Sequence, residues 1–179
     1  MTSLPGAGGP AAAPEGPAES TAELAGIAIG MLTAAGQTVA AAESLTGGLV
    51  AAALTDIPGA SNAFRGGVIA YATELKAEIL GVDVDLLKRH GPVYAPVAAA
   101  MAEGVRKRLG ATFGVATTGV AGPGPQDGHP AGTVHIAVSL ADDTIVRTIA
   151  LQGNRDQVRR LTVERVLGLL LGRLREECP

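Results

Sequence analysis

The sequence predicts a layered α/β/α fold in a single domain, with a mixed sheet of about five strands. Apolar runs of strand length alternate with segments of helical periodicity along the 179-residue chain, and this alternation is typical of α/β proteins. The last two predicted strands are joined by a short turn, Ala141-Asp142-Asp143, so they must pair antiparallel. Hydrophobic residues make up 47% of the chain and charged residues 17%, which is enough apolar material for a large core.

The first half of the chain is interpreted as a tail followed by alternating helices and strands. Residues 1–19 are rich in Pro, Gly and Ala and are expected to be disordered, so the domain is expected to span 20–177. Ser20 and Glu23 form a predicted capping box, and the helix that they open ends at Gly36. The next predicted elements are a strand at 38–43, a helix that follows Gly48 and ends at the break 56–59, and a strand at 64–71.

The second half is interpreted as three helices, three strands and a long final helix. Thr73 is the predicted cap of a short helix that ends at Leu80, and the final helix is predicted to start at Asn154. Apolar residues recur along one face of that last helix, which indicates either core or a subunit interface. The predicted elements in between are helices at 85–90 and 96–109 and strands at 112–117, 133–140 and 144–151.

Composition excludes several classes of partner. The net charge is −3 and the aromatic residues are two Tyr and two Phe, so no nucleic-acid partner is expected, because such a partner needs a basic face and stacking platforms. No apolar run reaches about 18 residues and no signal-peptide pattern occurs, so we expect a cytoplasmic protein without a membrane partner. The single cysteine, Cys178, and three histidines in unrelated contexts predict neither a disulfide framework nor a metal site.

One stretch is the main candidate for a functional site: residues 43–48, Glu-Ser-Leu-Thr-Gly-Gly. Because it lies between two apolar runs, it is predicted to form a tight turn between a buried strand and a helix. Such a turn directs backbone N–H groups and the positive end of the helix dipole toward one point, where a hydroxyl can act on a group that is, or becomes, anionic. The alternative is an ordinary helix cap, since Ser and Thr are favoured caps and Gly suits turns.

Four further residues are candidates for the same site. Lys76 is predicted in the first turn of its helix, where the helix dipole lowers the pKa of the amine and helps it to serve as a base; the alternative is a solvated surface lysine. Arg155, beside the start of the last helix, could bind an anion or be an ordinary surface arginine. Ser44, Tyr71 and Thr118 each lie at the end of a predicted strand, and ligands of such sheets gather at the carboxyl ends of the strands.

The Gly- and Pro-rich stretch 118–125 is predicted to be a loop. It matches neither the dinucleotide-binding fingerprint nor a P-loop. One interpretation is a flexible connection. A loop of this length inside a compact domain is, however, more often functional.

Five motifs, taken in order, resemble one protein family. They lie at 43–48, 56–61, 71–76, 118–124 and 132–134. Together they are similar to the CinA C-terminal domain family, the nicotinamide-nucleotide amidohydrolases or nicotinamide mononucleotide deamidases, over about 21–177. The resemblance implies hydrolysis of the carboxamide of nicotinamide mononucleotide to nicotinate mononucleotide and ammonia, in pyridine-nucleotide recycling. It implies no cofactor and no metal, and it implies the stand-alone form, because full-length members carry a further N-terminal domain.

The resemblance also assigns roles to individual residues. It implies that Ser44 is the nucleophile and that Lys76 and Tyr71 are its catalytic partners, and a Ser–Lys pair is a known means of activating a hydroxyl for attack on an amide. It associates Thr118 and Arg155 with the nucleotide, and Arg155 suits the 5′-phosphate. The other expected substrate-binding residues, including candidate backbone donors of an oxyanion hole, are Glu43, Thr46, Gly47, Gly48, Gly119 and Gly122.

Two departures from the family pattern leave other functions open. Leu45 stands where the family usually has Cys, and 91–96 reads Gly-Pro-Val-Tyr-Ala-Pro where the family usually has Gly-Ala-Val-Ser-Glu-Glu. If that segment borders the pocket, Tyr94 and the loss of two carboxylates change substrate preference or rate. The alternatives are a pyridine-nucleotide-binding or regulatory module with little or no turnover, and an amidohydrolase of another small amide. A homo-oligomer is expected from the Leu-rich last helix and the small-residue faces.

Overall fold

The structure, a computed structural model, describes residues 20–177, so the predicted tail at 1–19 lies outside the described residues. Over that range the α/β/α fold and the predicted order of elements are confirmed, with a turn of 3-10 helix at Ala60–Asn62 where a loop was expected. The helices are α1 (Thr21–Ala34), α2 (Leu49–Thr55), α3 (Thr73–Glu78), α4 (Val84–His90), α5 (Ala95–Leu109) and α6 (Arg155–Glu177). The strands are β1 (Val39–Glu43), β2 (Phe64–Ile69), β3 (Phe113–Gly119), β4 (Thr133–Ser139) and β5 (Thr144–Ala150).

The strands form one mixed sheet in the order β2-β1-β3-β4-β5. β1 pairs in parallel with both β2 and β3, whereas β4 and β5 are antiparallel. The chain leaves β1 for β2 on one side and later returns to place β3 on the other side. This reversal of direction opens a crevice at the carboxyl ends of β1 and β3, which is where α/β sheets of this strand order bind ligands.

The two faces of the sheet bury side chains of different sizes. One face carries Val, Ile and Phe and packs against α1, α2 and α6. The other presents the alanines Ala40, Ala116 and Ala137 to the face of α5. α5 lies so close that a Cβ added at Gly114 would stand 2.0 Å from the carbonyl oxygen of Ala102. The small residues of the sequence therefore let this helix approach the sheet at close-packed distance.

The apolar stripe of α6 belongs to the core on the first face. Its residues are buried within the chain itself, so the core interpretation is correct and the stripe is not available as a subunit interface. They are Val163, Val166, Leu167, Leu170, Leu171 and Leu174.

The predicted capping box of α1 is present. The hydroxyl of Ser20 accepts the N–H of Glu23 at 3.3 Å, and the Glu23 carboxylate accepts the N–H of Ser20 at 2.7 Å. The predicted cap of α3 is wrong: Ala72 occupies the cap position without a side-chain hydrogen bond, and Thr73 is the first residue of the helix. Lys76 is therefore the fourth residue of α3.

Two strand ends also differ from the prediction. β2 ends at Ile69, so Tyr71 lies two residues beyond the strand. β3 continues to Gly119, because Thr118 and Gly119 still pair with β4. Thr118 is thus held by the sheet and does not belong to the loop that follows.

Candidate active site

Ser44 lies directly after β1, at the crevice between β1 and β3. Its N–H donates to the carbonyl of Thr117 at 3.0 Å, which continues the β1–β3 pairing by one residue. Its carbonyl accepts the N–H of Gly47 at 3.1 Å and closes a tight turn. Gly47 and Gly48 have φ values of 59° and 98°, a region that favours glycine. The two glycines therefore let the chain reverse at once into α2, leaving the serine half-exposed at the sheet edge.

Glu43 is buried behind this turn and binds the start of α2. One carboxylate oxygen accepts the N–H groups of Gly48 and Val50 at 2.9 and 3.1 Å, and the other accepts that of Ala51 at 2.8 Å. Only 1% of the residue is exposed. This corrects the expectation that Glu43 binds substrate: its carboxylate compensates the free N–H groups and the dipole of the helix.

Neither hydroxyl of the turn caps α2. The cap position is Gly48, which has no side chain to contribute. The hydroxyl of Thr46 is buried and makes a 2.7 Å hydrogen bond with that of Thr117, which turns the side chain of Thr46 into the interior and not toward a substrate. The helix-cap interpretation of Ser44 is therefore wrong, and its hydroxyl has a different partner.

That partner is Lys76, which is buried. Only 1% of the residue is exposed. Its amine nitrogen lies 3.3 Å from the hydroxyl oxygen of Ser44. It also lies 2.7 Å from the carbonyl oxygen of Ala70 and 3.4 Å from that of Tyr71. The surface-lysine alternative is wrong. Three oxygens surround the nitrogen, and one of them is the hydroxyl of Ser44.

Burial lowers the pKa of Lys76 to about 8, while the negative charge of Glu74 acts in the opposite direction. The sequence predicted a lowered pKa but attributed it to the dipole of α3. The physical cause is desolvation, because a buried amine loses more solvation as a cation than as a neutral group.

The cleft beside Ser44 contains several of the predicted residues. Ser44, Tyr71, Thr118, Gly119 and Arg155 all line it. Its walls are completed by five residues that the sequence did not single out as lining residues. These are Leu45, Pro92, Val93, Ala121 and Gln126.

Arg155 bridges two parts of the cleft wall. Its guanidinium donates to the hydroxyl of Tyr71 at 3.0 Å and to the carbonyl of Gly122 at 3.0 Å. Tyr71 is 59% exposed, and its hydroxyl bonds the arginine, while only its backbone carbonyl faces Lys76. Thr118 donates its hydroxyl to the carbonyl of Pro92 at 2.8 Å, which ties β3 to the opposite wall.

Five of the predicted substrate-binding residues do not line the cleft. Glu43 and Thr46 are buried behind the turn, Gly47 and Gly48 form its backbone, and Gly122 contributes its carbonyl to Arg155. The N–H of Gly47 is bonded to Ser44 and that of Gly48 to Glu43. These two groups are therefore not the oxyanion donors that the sequence suggested.

The segment 91–96 does border the cleft, but through Pro92 and Val93 and not through Tyr94. The ring of Tyr94 stacks on that of His90, with centroids 4.4 Å apart. It is partly buried against the α5 side of the core. The departure from the family pattern at Tyr94 therefore changes the support of this wall and not its lining.

Sequence reasoning missed Arg159. Its guanidinium donates to the carbonyls of Leu45 and Thr46 at 3.0 and 2.7 Å. The available signal was its position four residues after Arg155, because residues spaced by four share one face of a helix. The acceptors are backbone oxygens, which no side-chain pattern reveals.

The described part of the chain has neither a metal-binding cluster nor a membrane-spanning helix. Between residues 20 and 177, no three His, Cys, Asp or Glu side chains are grouped so that they could hold a metal ion. No helix of that part of the chain is long and apolar enough to cross a bilayer.

The fold and the cleft define a class: a three-layer α/β domain that holds a serine hydroxyl and a buried lysine amine together at the carboxyl edge of parallel strands. The sequence model of the CinA C-terminal domain matches residues 21–174. The chain belongs to the CinA C-terminal domain family.

Known relatives agree with this membership. The chain is 54% identical over 147 residues to a CinA-like protein of Frankia casuarinae, matching 82% of this chain and 34% of the relative. It is 47% identical over 154 residues to a CinA-like protein of Parasynechococcus marenigrum, matching 84% of this chain and 37% of the relative. The chain therefore spans about a third of the length of these curated relatives.

Solved structures have the same fold. The chain is similar to the crystal structure of the competence/damage inducible protein CihA from Agrobacterium tumefaciens, with a TM-score of 0.82 and 36% identity over 85% of this chain and 94% of that one. It is also similar to the competence-damaged protein (CinA) superfamily protein from Escherichia coli, with a TM-score of 0.82 and 32% identity over 85% and 89% of the two chains.

The position of Glu43 leads to a stability prediction. In Glu43→Gln, one of the two side-chain oxygens becomes an NH2 group that faces a backbone N–H donor, so we expect the free energy of unfolding to fall by about 2 kcal/mol. Urea denaturation followed by circular dichroism measures it. Glu78→Gln, on the exposed side of α3, is the control and should change it by less than about 0.5 kcal/mol. Equal stability of the two variants would show that the buried carboxylate does not hold α2.

Proposed function

We propose that this chain is an amidohydrolase that cleaves the carboxamide of nicotinamide mononucleotide, giving nicotinate mononucleotide and ammonia. The observation that carries the proposal is the 3.3 Å contact between the buried amine of Lys76 and the hydroxyl of Ser44. Membership of the CinA C-terminal domain family supports the substrate, because it is the one that the family resemblance implies.

The surroundings of Lys76 favour its role as a base. A neutral lysine amine has two N–H donors and one lone pair. If its donors bind the carbonyls of Ala70 and Tyr71, which lie 2.7 and 3.4 Å away, the lone pair is left for the hydroxyl of Ser44. A pKa of about 8 leaves about a tenth of the amine neutral at pH 7, far more than an ordinary lysine has, and a catalytic base works best when its pKa is close to the working pH.

The proposed reaction has two halves. In the first, the oxygen of Ser44 attacks the carboxamide carbon while Lys76 takes the hydroxyl proton. Lys76 returns that proton to the departing nitrogen, so ammonia leaves and an ester to Ser44 remains. In the second half, Lys76 takes a proton from water, the resulting hydroxide attacks the ester, and the proton returns to Ser44. The sum is one amide and one water converted into one acid and one ammonia.

Arg155 is the proposed ligand of the 5′-phosphate. A guanidinium has five N–H donors, and the two bonds of Arg155 to Tyr71 and Gly122 leave others available to an anion. The start of α2 cannot take this role, because Glu43 already occupies its N–H groups. The exposed ring of Tyr71, held by Arg155 at the cleft, is placed to contact the ring of the nucleotide.

We expect Ser44→Ala to reduce ammonia release from nicotinamide mononucleotide by at least ~1,000-fold, because the nucleophile is lost. Lys76→Arg should be almost as inactive, since arginine keeps its proton at all relevant pH values. An enzyme-coupled ammonia assay on purified variants of equal thermal stability measures both.

Ser61→Ala is the control for this experiment, because Ser61 is an exposed serine of the 3-10 turn, and it should retain full activity. Nucleotide binding without ammonia release from the unsubstituted chain would refute the enzymatic function and favour a binding module. Activity that survives in Ser44→Ala would refute the assigned nucleophile.

The lowered pKa of Lys76 sets a pH dependence. Below pH 8 most of the amine is protonated, and the protonated form cannot accept the Ser44 proton, so kcat/KM should rise with pH through an inflection near 8. Glu74→Gln removes the charge that raises this pKa, so the inflection should move to lower pH. If the inflection came instead from titration of the substrate phosphate, Glu74→Gln would leave it at the same pH. A profile that is flat across this range would exclude Lys76 as the base.

A further inference from the structure

We propose that Arg159 is a positioning residue that holds the turn after Ser44 so that the backbone N–H groups of Leu45 and Thr46 form the oxyanion hole. This inference rests on the proposed function. Its starting point is the fork of hydrogen bonds from the half-buried guanidinium to the carbonyls of Leu45 and Thr46, at 3.0 and 2.7 Å.

The geometry of the peptide bond converts these contacts into an orientation. In a trans peptide the C=O of one residue and the N–H of the next point in opposite directions. The bond from Arg159 to the Leu45 carbonyl therefore directs the Thr46 N–H away from the guanidinium. The bond to the Thr46 carbonyl likewise fixes the Gly47 N–H, which donates to the Ser44 carbonyl at 3.1 Å. Because the Ser44 carbonyl and the Leu45 N–H belong to one trans peptide, that bond in turn orients the Leu45 N–H.

In the part of the chain that the structure describes, two backbone N–H groups of the turn have no hydrogen-bond acceptor, whereas those that follow them do. The first groups of α2, those of Gly48, Val50 and Ala51, are bound to Glu43, and that of Leu49 donates to the Thr46 carbonyl. Among the hydrogen bonds of residues 20–177, none has the N–H of Leu45 or Thr46 as its donor.

These two free donors directly follow the nucleophile, and Leu45 itself lines the cleft. An oxyanion hole needs preorganised donors close to the carbon that the nucleophile attacks. The N–H of the residue after a nucleophilic serine serves in this way at the strand-to-helix turn of the α/β-hydrolases. Of the donors that the sequence suggested between Thr46 and Gly48, those of Gly47 and Gly48 are occupied. The N–H of Thr46 remains, and that of Leu45 joins it.

Arginine suits this position because one rigid, planar guanidinium can donate to the Leu45 and Thr46 carbonyls at the same time. Without it the Leu45 and Thr46 carbonyls would lose their shared partner, and the peptide between them could rotate. A rotated peptide would turn the Thr46 N–H away from the developing oxyanion. Lysine at this position would keep the charge but could not form the same planar fork.

The test compares Arg159→Lys and Arg159→Met with a neighbouring control, Arg160→Lys. Arg160 is exposed and pairs with Asp156 on the same helix, so its substitution should leave activity unchanged. For both Arg159 variants, kcat for ammonia release should fall by about 100-fold, the loss typical of an oxyanion donor. KM should change by less than about 3-fold, because the interaction is made in the transition state.

A second readout does not depend on the substrate. A fluorophosphonate reacts with an activated serine: the Ser44 oxygen bonds to phosphorus, fluoride leaves, and Lys76 takes the hydroxyl proton, while the phosphoryl oxygen occupies the oxyanion hole. The rate of labelling, followed by intact mass, should fall in both Arg159 variants in parallel with kcat. It should be unchanged in Arg160→Lys.

The outcomes separate the two proposals. A chain that labels at Ser44 but releases no ammonia would overturn the proposed substrate. The role of Arg159 would then still be tested by the labelling rates of its variants. Full kcat and full labelling in Arg159→Lys would overturn the positioning role. The positioning role would also be overturned if kcat and the labelling rate fell only in proportion to the unfolded fraction seen in thermal denaturation. An unsubstituted chain that neither labels nor releases ammonia would overturn it as well.

Discussion

The burial of the Lys76 amine is the constraint on which the site depends. An amine that is almost fully enclosed must have polar partners, because an unpaired buried polar group is costly. The carbonyls of Ala70 and Tyr71 and the hydroxyl of Ser44 provide them. The same burial lowers the pKa of the amine, so one feature both fixes the position of the lysine and adjusts its chemistry.

The sheet brings these partners together. The carbonyl of Glu43 accepts the N–H of Ala70 at 2.9 Å, which extends the β1–β2 pairing past the end of β2. The N–H of Ser44 bonds to β3 in the same way. Ser44 and the carbonyls that bind the lysine are therefore set by backbone pairing on the two sides of β1, and the site inherits the rigidity of the parallel strands.

Two charged side chains stabilise the turn from within the protein. The Glu43 carboxylate compensates the start of α2, and the Arg159 guanidinium binds the carbonyls of the turn. An anion-binding helix start, which a sequence of this kind suggests, is thus satisfied internally. Arg155, by contrast, is an exposed cation that lines the cleft.

Much of this arrangement could be predicted from the sequence. Periodicity predicted the order of helices and strands, and the rule that ligands gather at strand ends predicted the grouping of Ser44, Tyr71 and Thr118. Arg155 was a candidate because it lies beside the start of the last helix. The buried position of Lys76 was not accessible, because it depends on tertiary packing around α3. The role of Glu43 was misread because a carboxylate beside a nucleophile resembles a ligand, while its partners are backbone groups of α2. Arg159 was missed for the same reason, since a side-chain pattern does not show backbone acceptors.

The most direct test of the central claim is an NMR titration of the lysine side chains in the folded chain. The sequence has three lysines, Lys76, Lys88 and Lys107, and the last two are exposed and serve as internal references. Carbon-13 labelling of lysine and assignment through Lys76→Met identify the resonance of interest. A Lys76 amine that titrates near pH 8 is the predicted result. A Lys76 amine that titrates near its ordinary value of 10.5 would contradict the account.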